Sequence, residues 1–405
     1  MSNEFDFDTK NGWKHYADAA SQEQMDVLAT RYMDFLSHAK TERETVDLVV
    51  EALKAAGFSE DFKKDLVFRT YRGKAVFVAR KGKKPLASGV RLISAHTDAP
   101  RLDFKQRPLQ EQVGIGQAKT HYYGGIKKYQ WPCIPLALCG VIYTQKGKKI
   151  EVNIGMDEND PVFYITDLLI HMAQDQMKKT MAEGVTGEQL QAIIGSHAGK
   201  EEKVKDAILN LLKKTYGITE EDFTTAELEL VPAMKSRDVG FDRSLIAAYG
   251  QDDRVCSYAN LEALLAAKPG TKTQVALFTD KEEIGSYGNT GMMSSYFVKF
   301  VMKMLALQGS GALLDFYETM EKSEMLSGDV NSCLDPMFPE VTEKDNSSLC
   351  GYGLALTKYT GARGKAGSND ANSEFIQKVR QIFNDGGVAW QIGDCLLYTS
   401  DAADD

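Results

Sequence analysis

The sequence lacks the features that would place it outside the ordinary globular proteins. Its six cysteines include no CxxC pair, which argues against a zinc finger and predicts free thiols in a reducing cytoplasm. No apolar run approaches the ~20 residues of a membrane span, and the acidic start lacks the apolar core of a signal peptide. No basic block occurs and the net charge is −9, so neither nucleic acid nor an anionic membrane is an expected partner.

What the chain does have is length and apolar sequence enough for a large core. It has 405 residues, of which 43% are apolar, and this length predicts two domains or one domain with a large insertion. Short apolar strands are predicted near residues 75–79, 90–95 and 275–278, and amphipathic helical patterns alternate with them. The alternation predicts an α/β fold with a central sheet flanked by helices.

Two capping boxes predict helix starts ahead of the first strand. They lie at Ser21–Gln24 and Thr41–Glu44, and each is followed by apolar residues at helical spacing. Gly57 suits the end of the second of these helices.

The pattern changes after Asp103. The segment GVIYTQKGKKIEVNIG predicts a hairpin, residues 162–217 are charged and mostly helical in pattern, and AELELVPA alternates like a strand with one exposed face. These features predict a catalytic domain formed by residues 1–102 and 236–394. It is interrupted by an inserted β-rich domain over residues 103–235.

A histidine and an aspartate lie at a predicted strand end in LISAHTDAPRLD. His96 and Asp98 are two residues apart, so on a strand their side chains share a face. A histidine that binds a metal usually has its other ring nitrogen held by a carboxylate. Taken alone, a surface histidine beside an aspartate is the commoner explanation of such a pair.

Three groups of carboxylates follow or precede other predicted elements. Asp252 and Asp253 precede a helix, where such residues often act as caps, and Asp329 follows a short apolar stretch. Glu282 and Glu283 follow an apolar strand in ALFTDKEEIGSYGNTG. Because adjacent carboxylates repel each other, the glutamate pair indicates something positive, or something to be deprotonated, beside it.

Together, the histidine and the carboxylates predict a metal centre. Ligands of open α/β sheets gather outside the carboxyl ends of the strands. Imidazole with carboxylates suits a divalent metal such as zinc, and a shared carboxylate suits two metals about 3.5–4 Å apart that hold a bridging water. In this scheme Glu283 binds a metal, and Glu282, its side chain turned elsewhere by strand alternation, takes the proton from the water.

Longer motifs connect the chain with one family. The sequence closely resembles the aspartyl aminopeptidase and vacuolar aminopeptidase I family of dinuclear zinc aminopeptidases. The shared motifs, spread over residues 40–392, are SAHTDAPRLDFK, HYYGGIKKYQW, DENDPVF, GFDRSLIAAYGQDDRVCSYANLEAL, DKEEIGSYGNTGM and GSNDANSEF. The resemblance implies a zinc exopeptidase fold and an enzyme that removes N-terminal residues from peptides. It also implies that the inserted domain mediates dimers that assemble into a dodecamer.

The resemblance further implies a role for each residue of the centre. Two zinc ions are expected per subunit, with Asp253 a neighbour rather than a ligand. Glu282 is the expected general base, and Asp98 is the expected support of His96. The expected metal ligands are His96, Asp252 as the bridging residue, Glu283 and Asp329.

One expected ligand has no counterpart in the sequence. The family's second metal-binding histidine lies near its C-terminus in a Met-His-Ser type motif, whereas none of the six histidines here follows His197. The final CLLYTSDAADD, residues 395–405, resembles a translated sequencing adapter. We therefore expect a non-native tail, a missing C-terminal part of the catalytic domain and an incomplete second zinc site.

Three further residues are candidates for binding the substrate. His121 lies among aromatic residues and lysines, which suits a substrate cleft, a subunit interface or ordinary surface packing. Ser368 and Asn369 in GSNDANSEF suit either contact with the substrate or the cap of a following helix.

The leading prediction is a cytoplasmic zinc aminopeptidase that acts on peptides. The first alternative is a related dinuclear zinc carboxypeptidase or amide deacylase, and capture of a free amine or a free carboxylate distinguishes these enzymes. The second alternative is an inactive truncated fragment that only assembles through its insertion, which a zinc count distinguishes.

Overall fold

The computed structural model describes residue 7, residues 9–362 and residues 366–393. The predicted tail, residues 395–405, lies outside the described residues. The chain divides into two compact units, formed by residues 31–329 and by residues 1–30 with 330–405. None of the helices in the described part of the chain has the length and apolarity that crossing a bilayer requires.

The helices and strands of the described residues are numbered in chain order. The helices are α1 (Gly12–His15), α2 (Ala19–His38), α3 (Glu42–Ala55), α4 (Met181–Gly184), α5 (Val204–Tyr216), α6 (Gln251–Ala266), α7 (Tyr296–Ala306), α8 (Leu313–Glu321) and α9 (Ser373–Asp385). The strands are β1 (Leu66–Tyr71), β2 (Ala75–Arg80), β3 (Val90–His96), β4 (Arg101–Gln112), β5 (Ile115–Tyr123), β6 (Leu136–Tyr143), β7 (Lys149–Ile154), β8 (Gln191–Gly195), β9 (Glu227–Pro232), β10 (Arg237–Val239), β11 (Leu245–Ala247), β12 (Thr273–Thr279), β13 (Glu324–Ser327), β14 (Leu354–Thr357), β15 (Tyr359–Ala362), β16 (Ala366–Asp370) and β17 (Trp390–Gly393).

The larger unit contains a five-stranded sheet with helices on both faces. Its strand order is β1-β2-β12-β3-β13, and β12, β3 and β13 run parallel to one another. Alternate residues of β2 point to opposite faces: Val76 and Val78 pack with α2, α3 and α6, whereas Phe77 packs with α7 and α8. The predicted α/β fold with a central sheet between helices is confirmed.

A second sheet of six antiparallel strands has the order β7-β6-β9-β4-β5-β8 and its own apolar core. The predicted hairpin is β6 and β7. AELELVPA forms β9, but the prediction of one exposed face is wrong, because β9 is a central strand between β6 and β4 and is largely buried. The bounds predicted for the inserted domain, 103–235, stay a prediction.

Residues 162–217 are less helical than their pattern predicts. They contain only the short α4, the strand β8 and α5, besides single 3-10 turns. The prediction of a mostly helical segment is therefore wrong before residue 204. Many apolar side chains there face solvent rather than a core, so they do not form the buried stripe that stabilises a helix.

The two predicted helix starts have different outcomes. The Thr41–Glu44 capping box opens α3, and Gly57 after its end has a φ of 86° that suits glycine. The Ser21 box does not open α2, which begins at Ala19. Instead the carboxylate of Asp18 accepts the Ser21 N–H at 3.0 Å, so an earlier acidic residue caps the first turn.

The smaller unit has two short sheets, the parallel pair β14–β17 and the antiparallel pair β15–β16. The side chain of Gln391 on β17 connects two points of the preceding loop of this unit. Its amide nitrogen donates to the carbonyls of Leu349 and Gly353, each at 3.0 Å.

Candidate metal centre

Three parallel strands end at one edge of the five-stranded sheet, and predicted ligands follow those ends. His96 is the last residue of β3 and lies opposite Thr279, the last residue of β12. Glu282 and Glu283 follow β12, and Asp329 follows β13. Because the strands are parallel, their carboxyl ends place these residues at the edge where open α/β sheets bind ligands.

Asp252 and Asp253 come to the same place from the start of α6. The backbone is non-helical at both residues, and regular helix follows them. The hydroxyl of Ser257, one turn further on, donates to the carbonyl of His96 at 2.7 Å. The N–H of His96 donates to Asp253 Oδ2 at 3.4 Å. These contacts hold the start of α6 against the end of β3.

Two overlapping groups of side chains could each hold a metal ion. The first is His96, Asp252 and Glu283, and the second is His96, Asp253 and Asp329. Within each group the ligand atoms lie within 4.8 Å of one another, and His96 Nε2 is 3.3 Å from Asp252 Oδ1. The structure therefore brings together all the predicted ligands and adds Asp253 to them.

Asp98 is buried and contacts several groups of the centre. Its Oδ1 lies 3.3 Å from His96 Nδ1, and its Oδ2 accepts a hydrogen bond of 2.8 Å from the hydroxyl of Tyr123. The backbone N–H groups of Glu282 and Glu283 donate to the same carboxylate, each at 3.2 Å. Asp98 thus contacts both the histidine ring and the backbone of the turn that carries the glutamates.

The two glutamates lie on a turn rather than on a strand. Residues Glu282–Ile284 form a 3-10 turn, preceded by Lys281 in the left-handed region with a φ of 71°. Strand alternation therefore does not separate Glu282 from Glu283, and that part of the prediction is wrong. The side chain of Glu282 is 48% exposed, with Oε2 3.8 Å from His96 Nε2, whereas Glu283 belongs to the first ligand group.

The ionisable groups of the centre have raised pKa values. Burial, and after it the carboxylate of Asp252, raises the pKa of Glu283 to about 7, and burial raises the pKa of Asp253 to about 7. Burial disfavours the protonated form of His96, but hydrogen bonds with Asp252 and Asp98 outweigh it and raise its pKa to about 11. Each raised pKa means that the group binds a proton more readily than usual, so the cluster attracts positive charge.

Two buried oxygens of the cluster bear on whether a metal fits. Among the described residues, Glu283 Oε1 and Asp253 Oδ1 have no hydrogen-bond partner. A buried acceptor left unpaired costs about 1–3 kcal/mol, and more when it is charged. One of these two residues belongs to each ligand group, and an imidazole with carboxylates is a donor set that zinc accepts. The residues therefore fit a divalent metal of the zinc type.

The residues predicted to bind the substrate are not in either ligand group. His121 is exposed on β5, with its ring stacked on Tyr122 at a centroid distance of 6.1 Å. Asn369 is exposed on β16 of the smaller unit, and the side chain of Ser368 lies outside the described residues. Their roles stay predictions.

Tyr123 is not among the residues predicted from the sequence. Its hydroxyl contacts Asp98, and its ring contacts the guanidinium of Arg101, 3.7 Å from the ring centroid. Alternation along THYYGG could have shown that Tyr122 and Tyr123 face opposite sides, and only Tyr123 is buried. Nothing in the sequence pairs Tyr123 with an aspartate that lies 25 residues away.

Comparison with known proteins gives a consistent result. The sequence model of the aminopeptidase I zinc metalloprotease (M18) family matches residues 35–394. A probable M18 family aminopeptidase 1 of Clostridium acetobutylicum is 43% identical over 408 aligned positions, covering 97% of this chain and 88% of the relative. The crystal structure of an M18 family aminopeptidase from Thermotoga maritima superposes with a TM-score of 0.91 at 44% identity, covering 96% of this chain and 87% of that one. The S. cerevisiae mApe1 dodecamer shares the fold, with a TM-score of 0.73 at 20% identity over 94% of this chain and 88% of that one.

Proposed function

Because the chain belongs to the M18 family of zinc aminopeptidases, we propose that its centre hydrolyses the first peptide bond of peptide substrates, with Glu282 as general base. The observation that carries the proposal is the cluster itself. One histidine and several carboxylates meet at the edge where three strands end, and two of their buried oxygens lack partners.

The residues that would hold zinc are proposed to be His96, Asp252, Glu283 and Asp329. Asp252 would be shared between two zinc ions, and the second site would be incomplete because the sequence has no counterpart of the family's C-terminal histidine. When bound, zinc supplies a Lewis acid that polarises the scissile carbonyl and lowers the pKa of a water. Asp98 keeps the ring of His96 oriented through its contact of 3.3 Å with Nδ1, and its hydrogen bonds hold the glutamate turn in place.

Glu282 is proposed to move the proton. Its carboxylate is half exposed and lies beside the ligand group without belonging to it, so it can reach a water at the substrate side. Burial raises its pKa above the usual value of a glutamate, which brings it nearer to the range suited to accepting a proton. In the proposed reaction, Glu282 takes a proton from the attacking water and gives it to the leaving amine.

The test compares Glu282→Gln with Glu283→Ala by zinc content and by hydrolysis of an aminoacyl anilide. Glutamine keeps the size of Glu282 but cannot accept a proton, so zinc should stay bound while turnover falls by about 10²–10⁴-fold. Glu283→Ala should lose zinc. Wild-type turnover in Glu282→Gln would refute the base assignment, and unchanged zinc in Glu283→Ala would mean that the two roles are reversed.

The same assay separates the proposed activity from that of the related hydrolases. An aminopeptidase requires the free amine of its substrate, so acetylating the anilide substrate should abolish hydrolysis. Hydrolysis of the blocked substrate, or of one recognised by its free carboxylate, would instead support the deacylase or the carboxypeptidase.

We also propose that the chain forms a homo-oligomer through the inserted domain, residues 103–235, with dimers assembling into a dodecamer. The domain carries large apolar side chains that face solvent, among them Leu169, Ile170 and Met172, each more than 60% exposed, and such patches are typical of interfaces. The catalytic domain is proposed to be residues 1–102 and 236–394, and the free cysteines support a cytoplasmic location.

Light scattering tests the assembly. Deleting residues 104–234 behind a short linker should leave a smaller species, and Ile170→Glu, which keeps the domain, should weaken assembly as well. An oligomer of unchanged size in both variants would contradict the proposal.

A further inference from the structure

A pocket of about 340 Å³ lies in the larger unit between β1 and α7. None of its lining residues belongs to the metal centre. Its volume is at the lower end of the range of small-molecule sites, about 300–1,000 Å³. The lining combines two kinds of side chain, aromatic rings and long cations.

Four rings form the apolar part of the pocket. Tyr71 and Tyr296 stack nearly parallel, with their centroids 4.4 Å apart, and Phe62 meets Phe300 edge-on at 5.4 Å. The two phenylalanines are buried, whereas the two tyrosines are half-buried and line the pocket. A planar apolar group fits against such a surface by stacking.

Four cations surround these rings. They are Arg69, Arg72, Lys299 and Lys303, all with exposed side chains, and no carboxylate lines the pocket. Arg69 pairs with Glu60 at 2.6 Å, but the other three make no ion pair with any residue that the structure describes.

Ion pairs among the described residues do not explain this concentration of positive charge, although the Lys303 ammonium lies over the Phe62 ring, 4.1 Å from its centroid. Lys299 and Lys303 lie four residues apart on α7, where like charges repel each other. The chain as a whole has a net charge of −9, so the patch also runs against the prevailing sign of the protein. Cations that gather without counter-ions around a concave site indicate an anionic ligand.

We propose that this pocket binds a small ligand that joins a planar aromatic ring to a phosphate, of the nucleoside phosphate class. The ring would stack against the tyrosines, and the phosphate would be held by the unpaired cations. Arginine suits this role because its planar guanidinium donates two parallel hydrogen bonds to a phosphate. A ligand with a single carboxylate would neutralise only one of the three cations that lack an ion pair. A doubly charged phosphate is therefore favoured over a carboxylate.

Titration calorimetry of the zinc-loaded protein with adenosine monophosphate tests the proposal, beside adenosine and inorganic phosphate. The monophosphate is chosen because it fits a pocket of this size and chelates metal ions weakly. It should bind with one site per chain, whereas adenosine and phosphate should each bind at least about tenfold more weakly, since each lacks one half of the ligand.

Two variants locate the binding. Arg72 has a φ of 56°, and asparagine tolerates this backbone region, so Arg72→Asn removes the charge without straining the chain. Lys299→Gln removes a second charge on α7. Each should weaken binding of the monophosphate about tenfold. Lys213→Gln, which removes an exposed lysine from α5, is the matched control and should change nothing.

Three results would overturn the proposal. The first is no saturable binding of the monophosphate. The second is binding of inorganic phosphate as tight as that of the monophosphate, which would leave the rings without a role. The third is unchanged affinity in both folded pocket variants, which would place the nucleotide elsewhere, for example at the zinc centre.

Discussion

Two clusters of carboxylates, each partly buried, lie in the larger unit, and they differ in what neutralises them. In the first cluster, here called the ion network, Lys74 lies 2.9 Å from Glu42, and Arg101 lies 3.5 Å from Glu42 and 3.4 Å from Glu229. Arg101 also pairs with Asp103, and Lys74 and Arg43 pair with Glu227. Each of these acidic side chains of the ion network thus has a lysine or an arginine as an ion-pair partner.

Five carboxylates of the metal centre have no such partners among the residues that the structure describes. Among the described residues, no lysine or arginine forms an ion pair with the carboxylates Asp98, Asp252, Asp253, Glu282 or Glu283, and only His96 approaches them. The pKa shifts show the consequence. Arg101 and Lys74 overcome the effect of burial and hold the pKa of Glu42 well below its usual value, although burial and the ionised Glu42 raise the pKa of its neighbour Glu229. In the metal centre, burial and the carboxylate of Asp252 raise the pKa of Glu283 to about 7.

The difference shows how a buried acidic cluster can be interpreted. Burying charge without a partner is costly, so a fold that buries acidic residues for stability supplies cations to them. A cluster that keeps its carboxylates close together without such cations leaves room for a metal ion. The two clusters should therefore respond oppositely when a charge is removed.

The largest expected effect is in the ion network. Arg101→Met should lower the free energy of unfolding by about 3–5 kcal/mol, because it leaves buried carboxylates without their cationic partner. The ionised Glu42, with its lowered pKa, stabilises the fold above its unfolded pKa of about 4.3, and this contribution is lost as the pH falls. In the variant, the pKa of Glu42 rises, so the deficit should be smaller at acid pH than at neutral pH.

Urea denaturation of both proteins at acid and neutral pH measures this difference. Arg91→Met is the control, since Arg91 is 62% exposed in its pair with Glu324, and surface pairs contribute about 0–1 kcal/mol. Equal deficits for Arg101→Met and Arg91→Met would show that the ion network does not stabilise the fold.

The next effect is in the metal centre. Zinc at about 100 times its Kd should raise the free energy of unfolding by about 2.7 kcal/mol, and a chelator should remove this gain. The double variant Asp252→Asn, Glu283→Gln should lose the response to zinc. Without zinc it should be at least as stable as the wild type, because the substitutions relieve the repulsion between Asp252 and the partly buried Glu283.

Thermal or chemical unfolding with and without zinc measures both parts. Lys213→Gln, far from these carboxylates in sequence and exposed, should keep the full response. A zinc-free double variant clearly less stable than the wild type would mean that the carboxylates serve the fold, as they do in the ion network.

The smallest expected effect concerns Tyr123, which connects the two clusters. Its ring lies against Arg101, and its hydroxyl donates to Asp98 at 2.8 Å. Tyr123→Phe keeps the ring and removes one hydrogen bond from the support of His96, so zinc affinity should fall about tenfold, the lower end of what such supporting contacts contribute. Tyr122→Phe changes an exposed neighbour and should have no effect. Zinc titration against a competing chelator would reveal equal affinities if the hydroxyl had no positioning role.

The sequence by itself determined the α/β class, because the apolar run of β2 and the apolar stripes of α3 and α6 are local patterns set by burial. It also identified the candidate ligands, since each of them stands beside the end of a recognisable element. It misplaced what depends on context, such as the helical pattern after residue 162 and the exposed face of β9, because periodicity does not reveal which elements will cover a segment.

Only the tertiary structure decided how the candidate residues meet. The order β12-β3-β13 brings three strand ends to one edge, and the start of α6 adds Asp253 beside Asp252. The 3-10 turn, not strand alternation, separates Glu282 from Glu283, and Tyr123 reaches Asp98 from another sheet. Such contacts join residues that are distant along the chain, and they arise from the packing of whole sheets and helices, which no local pattern encodes.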